Sequence, residues 1–454
     1  MYENASNAVF SSYTASEREI IKICEERTNG GKMKTRITRI VSLICLLAMT
    51  ALLMTSCAVE TDYVTKDELD QLLDSRVDGS IVEAGDSYEV TINSNGAGNI
   101  VPASKSLLSA VSVYCNFKMN YSSSYFPGMS TGTRQYSSAG AGVIYSLDKN
   151  KGDAFVITNY HVVYDYRANT ANHVSDDIKL YLYGMEATDY AIPATYVGGS
   201  MVYDLAVLKV EGSRVLAESN AVAASFADSD KVSVLETAIA VGNPESKGIS
   251  ITVGYVNVDS EYLTMLGSDN STEVQMRVMR IDAAVNSGNS GGGLFNEKGE
   301  LIGIVNAKMS DSTVDNIGYA IPSNIVKYIA NNIIYYCNGT DLENVYRCLV
   351  GITVGASRYY TEYDTETGKV HKHETVIVEQ ITSGGIADGR LQTGDEIVAI
   401  TIDGVRYEVN RMYNVVDSML NARVGSSVVV EIKRDGGSMT VELPITEDSL
   451  TKSK

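Results

Sequence analysis

Apolar positions fall mainly into short runs separated by polar and glycine-rich turns. Residues 109–115 alternate, and 154–157, 177–183, 191–197, 238–243, 251–258, 274–281 and 301–305 are dense in Val, Ile and Ala. Runs of that length and composition predict strands. Residues 155–163 read as a strand that ends on His161, and 201–210 as a hydrophobic strand carrying Asp204. Helical spacing is rarer. Thr65 and Glu68 form a capping box ahead of Leu69, Leu72 and Leu73, which predicts a short helix over 65–73. Ser323 precedes Ile325, Ile329 and Ile333 at helical spacing and predicts a second. Many short strands with few helices give a mainly β protein whose central part fits two six-stranded Greek-key barrels.

The N-terminal pattern differs. Residues 1–32 are polar, and 33–39 carry Lys34, Arg36 and Arg39 before the apolar run 40–54 and Thr55-Ser56-Cys57. A basic stretch, an apolar stretch and small residues make a secretory signal. Leu53-Met54-Thr55-Ser56-Cys57 resembles a bacterial lipobox, which implies lipidation at Cys57. Met54 departs from the usual residue there. The alternative is an uncleaved anchor, since 40–56 lies near the lower length limit for crossing a bilayer. Either arrangement puts the rest of the chain on the extracytoplasmic face of a bacterial membrane. Residues 1–32 are then an extension, or an overcalled start with Met33 the true one. Residues 58–104 read as a tether, flexible over the Gly, Asn and Ser-rich 86–102.

Composition narrows the classes. A chain of 454 residues with 44% hydrophobic content has room for two or three domains. A net charge of −19 opposes binding to nucleic acid, whose phosphates carry the same sign. The 6 cysteines make no disulfide framework: Cys24, Cys45 and Cys57 belong to the N-terminal region, leaving Cys115, Cys337 and Cys348. Buried thiols or a Cys337–Cys348 bridge both fit. His371 and His373 would share a strand face, but two ligands do not close a tetrahedral metal site. No metal or cofactor is called for.

The chemistry centres on Asn286-Ser287-Gly288-Asn289-Ser290-Gly291-Gly292-Gly293-Leu294, a serine inside a glycine run. Glycines let a backbone turn sharply enough to aim N–H groups at a developing oxyanion. Alone, the run reads equally as a glycine-rich turn. With His161 and Asp204 upstream, the order His, Asp, Ser is that of a proton-relay triad. Ser290 would attack, His161 would accept and return the proton, and Asp204 would orient the imidazole. The N–H groups of Gly288 and Ser290 would form the oxyanion hole, with Asn289 shaping the turn.

Three blocks carry a family resemblance. Thr158-Asn159-Tyr160-His161-Val162, Asp204-Leu205-Ala206-Val207-Leu208 and Gly288-Asn289-Ser290-Gly291-Gly292 resemble the catalytic blocks of the HtrA family of trypsin-fold serine proteases with PDZ domains. Ala238 to Pro244 and Ile317 to Ser323 also resemble that family, although Glu245-Ser246-Lys247 replaces its apolar-Gly continuation. The resemblance implies a protease domain over 105–336, with a regulatory loop at 121–138, a linker at 337–343, and a PDZ domain over 345–446 followed by a polar tail at 447–454. Leu349, Val350, Gly351 and Ile352 would bind a peptide C-terminus by strand addition, beside a groove helix at 415–421. Residues 391–404 match the PDZ signature strand and turn. Residues 359–372 are a charged, tyrosine-rich insertion with no assigned role. Ala284 and Val285, where an acid would select basic side chains, imply a small apolar specificity pocket. The implied function is an ATP-independent endopeptidase for misfolded or unfolded envelope proteins, commonly a homotrimer. The competing class is a non-catalytic PDZ adaptor or holdase.

Overall fold

The computed structural model describes residues 78–84, 87–93, 104–121, 132–186, 189–307, 317–336 and 345–453. Cys57, the apolar run 40–54, the helix expected at 65–73 and Cys337 lie outside them. Among the described residues no helix is long and apolar enough to cross a membrane.

The chain divides into two compact units, Met1–Asn95 and Gly96–Lys454. In the first, β1 (Asp78–Ala84) pairs antiparallel with β2 (Ser87–Asn93). Both strands lie within the stretch 58–104. Ser-Ile-Val-Glu and Tyr-Glu-Val-Thr-Ile carry enough β-branched residues for a two-stranded ribbon.

In the second unit the first barrel uses β3 (Ala110–Tyr121), β4 (Gly132–Asp148), β5 (Asp153–Thr158), the one-turn α1 (Tyr160–Val163), β6 (Asp177–Leu182), β7 (Ile192–Ser200) and β8 (Leu205–Val210). Its six strands close in the order β3-β4-β5-β8-β7-β6. The loop expected at 121–138 is narrower, because 132–138 pairs with Cys115 to Tyr121 as the start of β4. Alternation drives this closure: Val111, Val113, Cys115 and Phe117 are buried on one face of β3. Cys115 is a free thiol, and burial pushes its pKa well up.

After the short α2 (Arg214–Glu218), the second barrel uses β9 (Thr237–Gly242), β10 (Ser250–Leu266), β11 (Glu273–Ile281), β12 (Gly293–Phe295), β13 (Leu301–Val305) and β14 (Gly318–Pro322). Its strands close as β10-β11-β14-β13-β12-β9. The run 274–281 is β11, which ends at Ile281. Then α3 (Ser323–Tyr336) packs Ile325, Ile329 and Ile333 into the core, as the helical spacing predicts.

The C-terminal part starts with β15 (Val345–Cys348), β16 (Ile352–Asp364), β17 (Lys369–Ile381), β18 (Glu396–Ile402), β19 (Val405–Glu408) and α4 (Met412–Ser418). It ends with β20 (Ser427–Arg434), β21 (Gly437–Pro444) and β22 (Leu450–Ser453). The main sheet runs β16-β17-β18-β20-β21 with β16 at its edge. The helix starts at Met412 rather than at Val415, and a 3-10 turn, Met419–Asn421, continues it. Near the C-terminus β22 pairs with β15, joining the last strand of this part to its first. Cys348 in β15 is a free buried thiol, pushed up to about 11 by burial.

Residues 359–372 form the outer arms of β16 and β17. They reach the second barrel, where Lys369 pairs with Glu236 at 2.8 Å and Lys372 with Asp259 at 2.9 Å. Arg411 bonds both Asp259 and Glu374 at 3.2 Å. Deeper in the same contact, Arg277 of β11 is 2.7 Å from Asp417 of α4 and 3.5 Å from Asp230, with its guanidinium 3.8 Å from the Tyr413 ring centroid. A cavity of about 710 Å³ lies in this contact, lined by Asp228, Lys231, Asn324, His371 and Arg411 among others.

Candidate active site

The site sits where the two barrels meet. β5 ends at Thr158, and the next residues turn into α1, so His161 stands on a single helical turn rather than at a strand end. Asp204 is likewise in the turn before β8, not within it, and takes a left-handed φ of 47°. That conformation is costly for a residue with a β-carbon. Its surroundings impose it. The Asp204 carbonyl accepts from Tyr160 N–H at 3.1 Å and from Asn159 Nδ2 at 2.8 Å. The side chain is then held from the other end: Oδ1 accepts His161 N–H at 3.0 Å, and Oδ2 lies 2.6 Å from His161 Nδ1. A carboxylate there fixes the tautomer, with the proton on Nδ1 and Nε2 left as the base. The Asp204 side chain is 6% exposed and that of His161 19%. The ring is therefore reachable from solvent while its support is dry.

Ser290 comes from the second barrel. Its carbonyl accepts Ala141 N–H of β4 at 2.8 Å, pinning the serine turn to the first barrel. Its hydroxyl oxygen accepts Ala307 N–H at 3.2 Å. The flanking glycines are required by space. Gly288 has φ 97°, and a β-carbon there would fall 2.1 Å from the Asn243 carbonyl oxygen. Gly291 has φ 83°, and its β-carbon would fall 2.2 Å from the Ala141 oxygen. The turn is closed by Asn289 N–H on Asn286 oxygen and Gly292 N–H on Asn289 oxygen, both 3.0 Å. Behind it, Asn243 N–H donates to Gly288 oxygen at 3.2 Å and Glu245 N–H to Ser287 oxygen at 3.0 Å. Glu245 and Ser246 both have left-handed φ, 54° and 59°. The departure at 245–247 thus sits in a strained loop tied directly to the serine turn.

Ala284 and Val285 lie between β11 and this turn. The Ala284 carbonyl accepts from Thr252 Oγ1 at 2.8 Å, and Val285 lies beside Gly318 and packs against the buried cluster that includes Ile281. Elsewhere, Gly351 takes φ 79°, and its carbonyl accepts Thr382 N–H at 2.8 Å while that of Val350 accepts Ala387 N–H at 3.0 Å. Leu349 is 55% exposed and Ile352 opens the edge strand β16. His371 and His373 belong to the β17 arm, where His373 Nε2 is 3.1 Å from Glu362. Among the described residues no group of three His, Cys, Asp or Glu side chains could hold a metal ion.

One contributor has no mark in the sequence. Asn306, just past β13, is fully buried and donates Nδ2 to Asp204 Oδ2 at 2.7 Å. It follows an ordinary apolar strand, and only barrel closure brings it to a carboxylate a hundred residues away.

A family model described as a trypsin-like peptidase domain matches residues 140–304. The chain is 30% identical over 378 residues to Serine protease Do-like HtrA of Lactococcus lactis subsp. cremoris, covering 80% of this chain and 85% of that protein. It is 30% identical over 338 residues to Serine protease Do-like HtrA of Bacillus subtilis, covering 73% and 69%. It is 29% identical over 328 residues to Periplasmic serine endoprotease DegP of Escherichia coli K12, covering 70% and 58%.

Proposed function

The chain belongs to the HtrA family of serine proteases and is a serine-type endopeptidase; from that premise we propose that it cleaves unfolded proteins, without ATP, through Ser290, His161 and Asp204. The observation that carries the assignment of residues is the 2.6 Å contact of His161 Nδ1 with Asp204, beside the Ser290 turn. In the first step Ser290 Oγ bonds to the scissile carbonyl carbon while its proton passes to His161 Nε2. The carbonyl π pair moves onto oxygen, and the N–H groups of Gly288 and Ser290 receive that charge, with Asn289 holding the turn. Collapse breaks the C–N bond, and the imidazolium returns the proton to the leaving amine. Water then attacks the acyl-enzyme by the same route, with His161 taking and returning one proton. Asp204 orients the ring and balances its positive form.

Ala284 and Val285 would line a pocket for small apolar side chains, because no acid stands there to pair a basic one. Peptides cleaved mainly after Lys or Arg would refute this. We further propose that the C-terminal domain is a PDZ module. A peptide C-terminus would lie along β16 from Ile352, its carboxylate taken by the loop at Leu349, Val350 and Gly351. The edge position of β16 supports that reading. An extracytoplasmic location, lipidation at Cys57 or an uncleaved anchor, and a homotrimer complete it. Palmitate-analogue labelling of wild type and Cys57→Ala tests the lipid, and equal labelling refutes it.

A fluorophosphonate probe and casein digestion, on wild type and Ser290→Ala, test the central claim. Labelling and digestion should both vanish in Ser290→Ala. An unlabelled wild type, with and without peptides ending in apolar residues, would leave an adaptor or holdase instead.

A further inference from the structure

The strand β16 runs for 13 residues, Ile352–Asp364, which is about 40 Å of extended chain. It pairs with β17 on one side and forms the edge of the sheet, so no described strand takes the backbone groups on its other side. A peptide whose carboxylate sits at 349–351 runs antiparallel to β16, its upstream residues lying toward Asp364. Its last four or so residues use only the first third of that edge, about 352–355. A register shift between Ala356 and Arg358 then bends the strand. Beyond the bend the edge continues from Arg358 to Asp364, with 358–363 exposed.

Proteins usually blunt a long open edge with a short strand, a proline or a covering loop. This edge is instead held firm. Lys369 on Glu236 and Lys372 on Asp259 fix the arm to the second barrel. Within the arm, Tyr360 stacks on His373 with ring centroids 5.1 Å apart, and Arg358 lies over the Tyr360 ring. Alternation puts Tyr359 and Tyr363 on the opposite face, where they are 68% and 63% exposed. An edge that is already ordered accepts an added strand without losing further freedom. Aromatic side chains on a strand face favour aromatic or β-branched neighbours across the pairing. We infer that the outer edge of β16, residues 358–364, is a second peptide subsite, which pairs with the stretch roughly six to twelve residues upstream of a bound C-terminus. Tyr359 and Tyr363 grip the β-branched or aromatic side chains of that stretch. This rests on the PDZ reading of the C-terminal domain. The arm then reads sequence that a four-residue C-terminus does not contain, and it selects protein ends that are already extended.

The test measures peptide affinity by fluorescence anisotropy on the full chain carrying Ser290→Ala, which leaves peptides uncut. The probes are an apolar tetrapeptide and two peptides of about twelve residues with the same end, one with an upstream Val-Thr repeat and one with an upstream Gly-Ser repeat. The Val-Thr peptide should bind about tenfold tighter than the tetrapeptide, and the Gly-Ser peptide within about twofold of it. Methylating alternate upstream backbone nitrogens of the Val-Thr peptide should abolish the gain in one phase and keep it in the other, because only every second N–H faces the edge. Tyr359→Ala with Tyr363→Ala should lose most of the gain and leave the tetrapeptide unchanged. Equal affinity of the Val-Thr peptide and the tetrapeptide overturns the inference, and sedimentation then shows whether the edge pairs with a second copy instead. A gain that survives both methylation phases, or the double substitution, overturns it as well. No binding of any peptide, or binding unchanged by amidating the C-terminus, overturns the PDZ reading and the inference together.

Discussion

Two seams in the second unit each bury an aspartate, and they treat it in opposite ways. Between the barrels, Asp204 meets three N–H donors. Between the second barrel and the C-terminal domain, Asp417 and Asp230 share one guanidinium, that of Arg277. Burial outweighs that shared charge. It pushes Asp417 up to about 6 and raises Asp230 as well, while the two acids hold Arg277 firmly protonated. Neutral donors satisfy a carboxylate without bringing a competing charge, so the first seam suits an orienting group. Two acids on one cation leave a surplus negative charge in a dry place, so the second seam responds to protons.

The largest expected effect breaks the first seam. Asp204→Asn should lower kcat by about 10⁴, because the ring would be held in the wrong tautomer. Measured kcat within tenfold of wild type would deny Asp204 its orienting role. Next, Arg277→Met strips the shared cation from the buried Asp417 and the half-buried Asp230. It should destabilise the C-terminal docking by about 3 kcal/mol or more, read from urea unfolding of the full chain. An unchanged midpoint would mean the apolar contacts alone hold the domains. A smaller effect is the pH response. The folded chain keeps a proton on Asp417 up to about pH 6, whereas the unfolded chain releases it near its ordinary value of about 3.9. This contribution is fully present below about pH 4 and is lost as pH rises through 6, by about 1 to 3 kcal/mol. Asp417→Asn should flatten that slope, and an identical slope in the variant would refute the assignment. Smallest is Lys372→Ala. Its side chain, bonded to Asp259, is half exposed, so the loss should be below about 1 kcal/mol and should shrink in high salt.

The strands, their alternation and the helix after Ser323 were legible because burial on one face writes a period into local sequence. The His161, Asp204 and Ser290 segments stood out for another reason: each sets a side chain of the required chemistry beside an apolar run. The errors lie at ends. Asp204 and His161 left their strands for turns because contacts with Asn159 and Tyr160 outweigh local propensity. Residues 450–453 became a strand only because β15 offers an open edge. The role of the 359–372 arm could not be read at all, since its partners Glu236 and Asp259 come from another domain.

Sequence alone determined the β character, the chain order of His161, Asp204 and Ser290 and the glycines around Ser290, since these depend on periodicity, residue chemistry and the space a β-carbon needs. Tertiary structure alone decided that Asn306 reaches Asp204 and that Asp230 and Asp417 share Arg277. Those contacts join residues that no local period relates, and closing the barrels and docking the domain creates them.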